Sequence, residues 1–184
     1  MRDALIALEI DGSVEVRMGA GVYVCAATAR TPQATASLGE SPIELMQARS
    51  AFEGSVVALA CGMSTPEGIA TVSNALGEMR AAIEGNRPPL KENRAFHLAI
   101  AAMTGNSVME RLVRELFDER HRSPLSSQLR VRSESTETWM EALREHEAIL
   151  RAIESRDVIA AQTAMRSHLQ ASQDRWVASR REWT

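Results

Sequence analysis

Asn93-Arg94-Ala95-Phe96-His97-Leu98-Ala99-Ile100-Ala101-Ala102-Met103-Thr104-Gly105-Asn106 decides the fold. Its apolar residues recur at helical spacing, and Gly105-Asn106 supplies a stop, with Gly suited to a left-handed cap. His97 shares a face with Asn93, Ile100, Ala101 and Thr104, so the spacing points it inward. Two further helices repeat this arrangement. Trp139, Leu143, His146, Leu150 and Ile153 form one stripe, and Ala161, Ala164, Met165, His168 and Ala171 form another. Three of the four histidines therefore face a core. His121, between Arg120 and Arg122 near a helix end, reads as exposed.

Composition agrees with a helical chain. The 184 residues are 45% hydrophobic but only 4% aromatic, which disfavours an all-β fold. Ala, Leu, Glu, Arg and Met are plentiful and favour helix. Net charge is −3, so no overall basic field would hold nucleic acid. The two cysteines, Cys25 and Cys61, form neither a disulfide framework nor a CxxC pair. That usage fits a reducing cytoplasm. No apolar run approaches the ~20 residues of a membrane span, and no signal pattern opens the chain.

Taken in order, Met1–Leu8 reads as the back of a helix stopped by Asp11-Gly12. Residues 14–18 and 22–24 alternate around Gly19-Ala20-Gly21, the pattern of a β-hairpin or wing. Residues 26–40 lack a period and read as a linker. Six helices should follow. Ser41-Pro42 caps the first, which ends at Gly62; Thr65-Pro66 caps the second, to about Glu84. The third is the opening stretch. Ser107 caps a fourth towards His121, a fifth spans about 135–155, and a sixth runs from Asp157 to Trp176 or beyond. Short connections make this an all-α antiparallel helical bundle.

Three inward imidazoles on three helices can converge on a metal, or each can be a core side chain satisfied by one hydrogen bond. Arg49 and Glu53 are spaced i, i+4, as in a surface salt bridge, but Arg49 can also line a cavity. No GxSxG, HExxH, phosphate loop or GxGxxG is present.

The chain resembles the GntR family of bacterial transcription regulators, in its FadR-type branch with a C-terminal FCD effector domain. The signatures are Ile43-Glu44-Leu45-Met46-Gln47-Ala48-Arg49 with Glu53, Phe96-His97-Leu98-Ala99-Ile100-Ala101 with Gly105-Asn106, His146-Glu147-Ala148-Ile149-Leu150, and Asp157 followed by Ala164-Met165-Arg166-Ser167-His168-Leu169. The first of these, with the regions around Pro124 and Trp139, is most similar to hexuronate-responsive repressors. The resemblance implies a divalent metal, zinc first with nickel or manganese as alternatives, held by His97, His146 and His168. The family's acidic ligand falls at Asn93, a departure that removes a negative charge. The metal would hold the carboxylate of a small organic acid, with Arg49 and Asn106 as effector-binding residues. A homodimer and operator DNA are the implied partners.

On this reading residues 1–25 are a partial winged helix–turn–helix, 26–40 a linker and 41–184 the effector domain. Met1-Arg2-Asp3-Ala4-Leu5 resembles the middle of the family's recognition helix, which leaves Arg2 and Arg17 as remnant DNA contacts. A misassigned start codon or a gene fragment would account for it. The function expected is a regulator sensing a sugar acid or similar organic acid, not an enzyme. The alternatives are a dimerisation and ligand-binding module that does not bind DNA, and a metalloenzyme built on the histidines.

Overall fold

The computed structural model describes residues 14–17, 21–24, 41–122 and 134–181. The chain divides into two compact units, Met1–Ser37 and Leu38–Thr184. In the first, β1 (Val14–Arg17) pairs antiparallel with β2 (Gly21–Val24), Val14 opposite Val24 and Arg17 opposite Gly21. Gly21 joins the ladder one residue ahead of the expected second strand, and Met18, expected to end the first, lies outside the described residues. Arg2, Cys25, the linker, Pro124 and the expected N-terminal helix lie outside the described residues.

Among its described residues the second unit holds six helices: α1 (Pro42–Gly62), α2 (Pro66–Glu84), α3 (Leu90–Ala102), α4 (Ser107–Arg122), α5 (Thr136–Glu154) and α6 (Val158–Arg181). Local chemistry sets most boundaries. Ser41 and Thr65 accept from the third backbone N–H of their helices, each with Pro at the first position. Ser135 and Thr138 form a reciprocal capping box at α5. Asp157 Oδ1 accepts from Ala160 N to start α6.

Two boundaries differ from expectation. The helix carrying His97 begins three residues before Asn93, at Leu90 behind Pro89. The cap of α4 is Asn106 rather than Ser107: its Oδ1 accepts from Val108 N at 3.0 Å and Met109 N at 3.1 Å. Gly105, at φ +63°, makes the turn between the two helices, as its lack of Cβ allows. After α2 the left-handed residue is Asn86 (φ 51°), and after α5 it is Arg156 (φ 55°). Both ends close as paired 6→1 and 5→2 hydrogen bonds, through Arg87 N and Asn86 N, and through Asp157 N and Arg156 N.

The first and last helices, α1 and α6, form the most extensive contact of the bundle; α5 packs on α6, α2 on α3 and α5, and α4 on α1 and α3. Gly54 permits the α1–α6 approach, because a Cβ there would lie 2.8–2.9 Å from Nε and Cγ of Arg166. The core between the helices contains Met46, Val57, Cys61, Val72, Phe96, Ile100, Leu143, Ile149, Ile153, Met165 and Leu169. Burial raises the Cys61 thiol pKa, and its Sγ faces Ala152 O. Among the described residues no helix is long and apolar enough to cross a membrane.

Candidate functional site

His97 from α3, His146 from α5 and His168 from α6 meet inside the bundle. All three are buried, and one ligand atom from each lies within 4.8 Å of the others. The ring centroids of His146 and His168 are 4.2 Å apart, and each lies 5.4 Å from that of His97.

Every imidazole is held through Nδ1. His97 donates to Glu53 Oε2 at 2.6 Å, His146 to Ala142 O at 2.5 Å, and His168 to Glu145 Oε2 at 2.7 Å. An Nδ1–H fixed in this way leaves Nε2 as the lone-pair nitrogen. His146 Nε2 is buried and has no partner in the protein. Burial drives all three pKa values down. His168 falls to about 4 despite the Glu145 hydrogen bond, and His97 falls despite Glu53. His146 falls well below the usual range, with His168 and His97 adding to the effect of burial. The rings are therefore neutral near pH 7, the form that ligates metals.

Two acidic residues orient the set. Burial would raise the Glu53 pKa, but Arg49 and His97 outweigh it and hold the carboxyl at about 2. Arg49 Nε bonds Glu53 Oε1 at 2.6 Å with both side chains buried, so the pair is internal and not a surface salt bridge. The Arg49 guanidinium lies 4.8 Å from the Phe117 ring centroid, and its Nη2 has no partner. Glu145 is likewise shared, between His168 and Arg175, whose Nη1 lies 2.8 Å from Oε1.

A part-enclosed pocket adjoins the cluster. Its wall includes Asn93, His168, Arg120, Arg175, Trp139 and Trp176. Arg120 lies 4.5 Å over the Trp176 ring, and its Nη2 is 3.3 Å from Ser172 Oγ. Burial, then the nearby Arg49 charge, depress the Arg120 pKa to about 9, so its surroundings favour an added anion. Among the described residues, six buried side-chain atoms lack a hydrogen-bond partner, and five belong to this region: Arg49 Nη2, Asn93 Oδ1, Arg120 Nε, Trp139 Nε1 and His146 Nε2. Each such orphan costs on the order of 1–3 kcal/mol, a cost relieved by whatever binds there.

The structure thus brings His97, His146, His168, Asn93 and Arg49 into one region. Asn106 is elsewhere in role: it is exposed, and its side-chain oxygen caps α4. Arg17 lies on the hairpin, with only its backbone described. Glu145, Arg120 and Arg175 were not singled out from sequence. Arg175 carries a visible signal, because it follows His168 by seven residues, two turns along the same face of α6. Three convergent neutral imidazoles, two of them anchored on carboxylates, fit a divalent metal by donor chemistry.

The FCD domain family model matches residues 44–171. The chain is 35% identical over 176 residues to the Uxu operon transcriptional regulator of Escherichia coli strain K12, covering 92% of this chain and 68% of that protein. It is 32% identical over 178 residues to the Uxu operon regulator of Haemophilus influenzae, covering 92% and 64%. The chain therefore spans about two thirds of the length of these relatives. Among solved structures it is similar to Streptococcus agalactiae GntR, with a TM-score of 0.62 and 21% identity over 94% of this chain and 79% of that one. These relatives are transcription regulators by name, and the metalloenzyme alternative is set aside on that ground. Six helices with this connectivity, a matching family model over most of the bundle and these relatives together place the chain in the GntR family of transcription regulators, in the FadR-type branch that carries an FCD domain.

Proposed function

We propose that the bundle senses a small organic acid, a hexuronate or related sugar acid, through a divalent metal held by His97, His146 and His168. The observation that carries this reading is the shared anchoring of the three imidazoles, with His146 Nε2 left buried and unpartnered. Zinc suits three neutral imidazoles, and nickel or manganese are the alternatives. When bound, the ion supplies positive charge and an open coordination position for a carboxylate. The protein's own part is to orient the donors and neutralise the acid. Glu53 and Glu145 fix the tautomers of His97 and His168. Arg49 Nη2 is a free donor for the ligand carboxylate.

The sugar-acid assignment is supported by the likeness of the α1 opening to hexuronate-responsive repressors and by relatives named as Uxu operon regulators. Residues 41–184 would form the effector domain, following a partial winged helix–turn–helix over 1–25 and a linker over 26–40. In a cytoplasmic homodimer, acid binding would alter the affinity of the attached DNA-binding unit for its operator by a coupling of about 1–3 kcal/mol. Bound metal and melting temperature of the purified chain test the sensor, with D-glucuronate, D-galacturonate and a chelator. Stabilisation by acid that disappears with the chelator and in His97→Ala supports it. A chain that takes up no metal and does not respond to either acid refutes it.

A further inference from the structure

The carboxylate end of the ligand is served by the cations, but two orphan groups in the pocket wall ask for something else. Trp139 Nε1 is an N–H donor with no acceptor, enclosed on α5 where Trp139 lines the pocket. Asn93 Oδ1 is an acceptor with no donor, enclosed on α3 in the same wall. A carboxylate can accept from the indole but has no proton to give the amide oxygen. A hydroxyl does both, accepting through oxygen and donating through hydrogen. The Asn93 amide in turn can donate through Nδ2, so it suits a group with both capacities. The remaining wall includes the indoles of Trp139 and Trp176, the latter stacked under Arg120, so it is amphipathic as a sugar ring is.

We infer that Asn93 and Trp139 are specificity residues that read hydroxyl groups of the bound acid, beside the carboxylate held at the histidine site. This rests on the sensor reading above and assigns Asn93 to the ligand rather than to the metal. The site then rejects acids of equal size that lack hydroxyls, because binding them would leave both buried groups unpaired.

The test measures binding to the zinc-loaded 184-residue chain by calorimetry. The probes are D-glucuronate and tetrahydropyran-2-carboxylate, the corresponding ring acid without hydroxyls. Wild type should prefer glucuronate by at least about tenfold. Trp139→Phe keeps most of the ring and removes the donor. It should weaken glucuronate about tenfold, leaving tetrahydropyran-2-carboxylate and zinc uptake within twofold. Asn93→Ala should behave in the same way, which provides a second variant should one fold poorly. Equal weakening of both acids would make Trp139 a packing residue, and unchanged binding of both would remove it from the site; either overturns the inference. Loss of zinc uptake in Asn93→Ala would return the amide to the metal and overturn its half. Failure of wild type to bind glucuronate would remove the parent reading and the inference together. Glucuronate binding by wild type with the same preference in both variants would remove the inference alone.

Discussion

Glu53 Oε2 lies 2.6 Å from His97 Nδ1, joining α1 to α3 through a buried carboxylate whose other oxygen is held by Arg49. Removing that carboxylate leaves both Arg49 and His97 buried without their partner. Glu53→Ala should destabilise the chain by about 3–5 kcal/mol, as breaking a buried ion pair does. Urea unfolding measures this. Glu53→Gln should cost less and should weaken zinc uptake, because an amide can hold the Nδ1 proton only as a weaker acceptor.

Acid should destabilise the metal-free chain in two stages. His168 has an ordinary pKa of 6.5 and a folded value of about 4. The unfolded chain therefore binds the extra proton first, and stability falls as pH drops from about 6.5 to 4. The difference of 2.5 corresponds to roughly 3 kcal/mol at 1.36 kcal/mol each. His97 and His146 shift in the same direction and add to the slope. Glu53 acts lower, between its ordinary 4.5 and about 2, where protonation in the unfolded chain removes its contribution. Melting temperature against pH should fall from below pH 6.5, and His168→Asn should flatten the upper stage.

Asn93→Asp places a carboxylate one turn before His97, in the pocket wall that also holds His168. Metal affinity should rise by tenfold or more, and competition against a colorimetric chelator reads it. Unchanged affinity would mean that residue 93 does not face the metal.

Asn106 offers a separation of roles. Its side chain caps α4 through two backbone N–H groups. Asn106→Ala should cost about 1 kcal/mol of stability and leave acid affinity unaltered. A loss of acid affinity that exceeds the loss of stability would give it an effector contact after all.

Gly54 sets the spacing of the outermost pair. Ala gains helix propensity there but pushes on Arg166, so Gly54→Ala should stay within about 1 kcal/mol of wild type. Gly54→Leu has no such room and should abolish cooperative unfolding, visible as loss of the near-ultraviolet dichroism of the tryptophans.

The helices and the inward phase of the histidines were readable because periodicity and capping residues act locally. Ser41, Thr65 and Ser135 announced their helices directly. The burial of Arg49 was not readable, since i, i+4 spacing is the same on a wet face and a dry one. What settles it is Phe117, 68 residues away, which covers the guanidinium. Glu145 and Arg120 were missed for a related reason: each sits beside a histidine, and the sequence does not show which of two neighbouring side chains turns towards a distant helix. Asn106 was legible as a helix boundary but not as the cap itself, because Ser107 fits that role equally well by type.

The α1–α6 packing has a consequence for how the chain is made. Arg49 is translated more than a hundred residues before His168, and the α1 face that lies on α6 waits for its partner until α6 leaves the ribosome. Contacts this distant in sequence slow folding, since the loop must close before they stabilise anything. A nascent chain lacking α6 exposes apolar α1 surface and lacks a third imidazole. The receptor pocket is consequently incomplete until α6 emerges, and loss of α6 should yield aggregation-prone protein rather than a smaller working sensor.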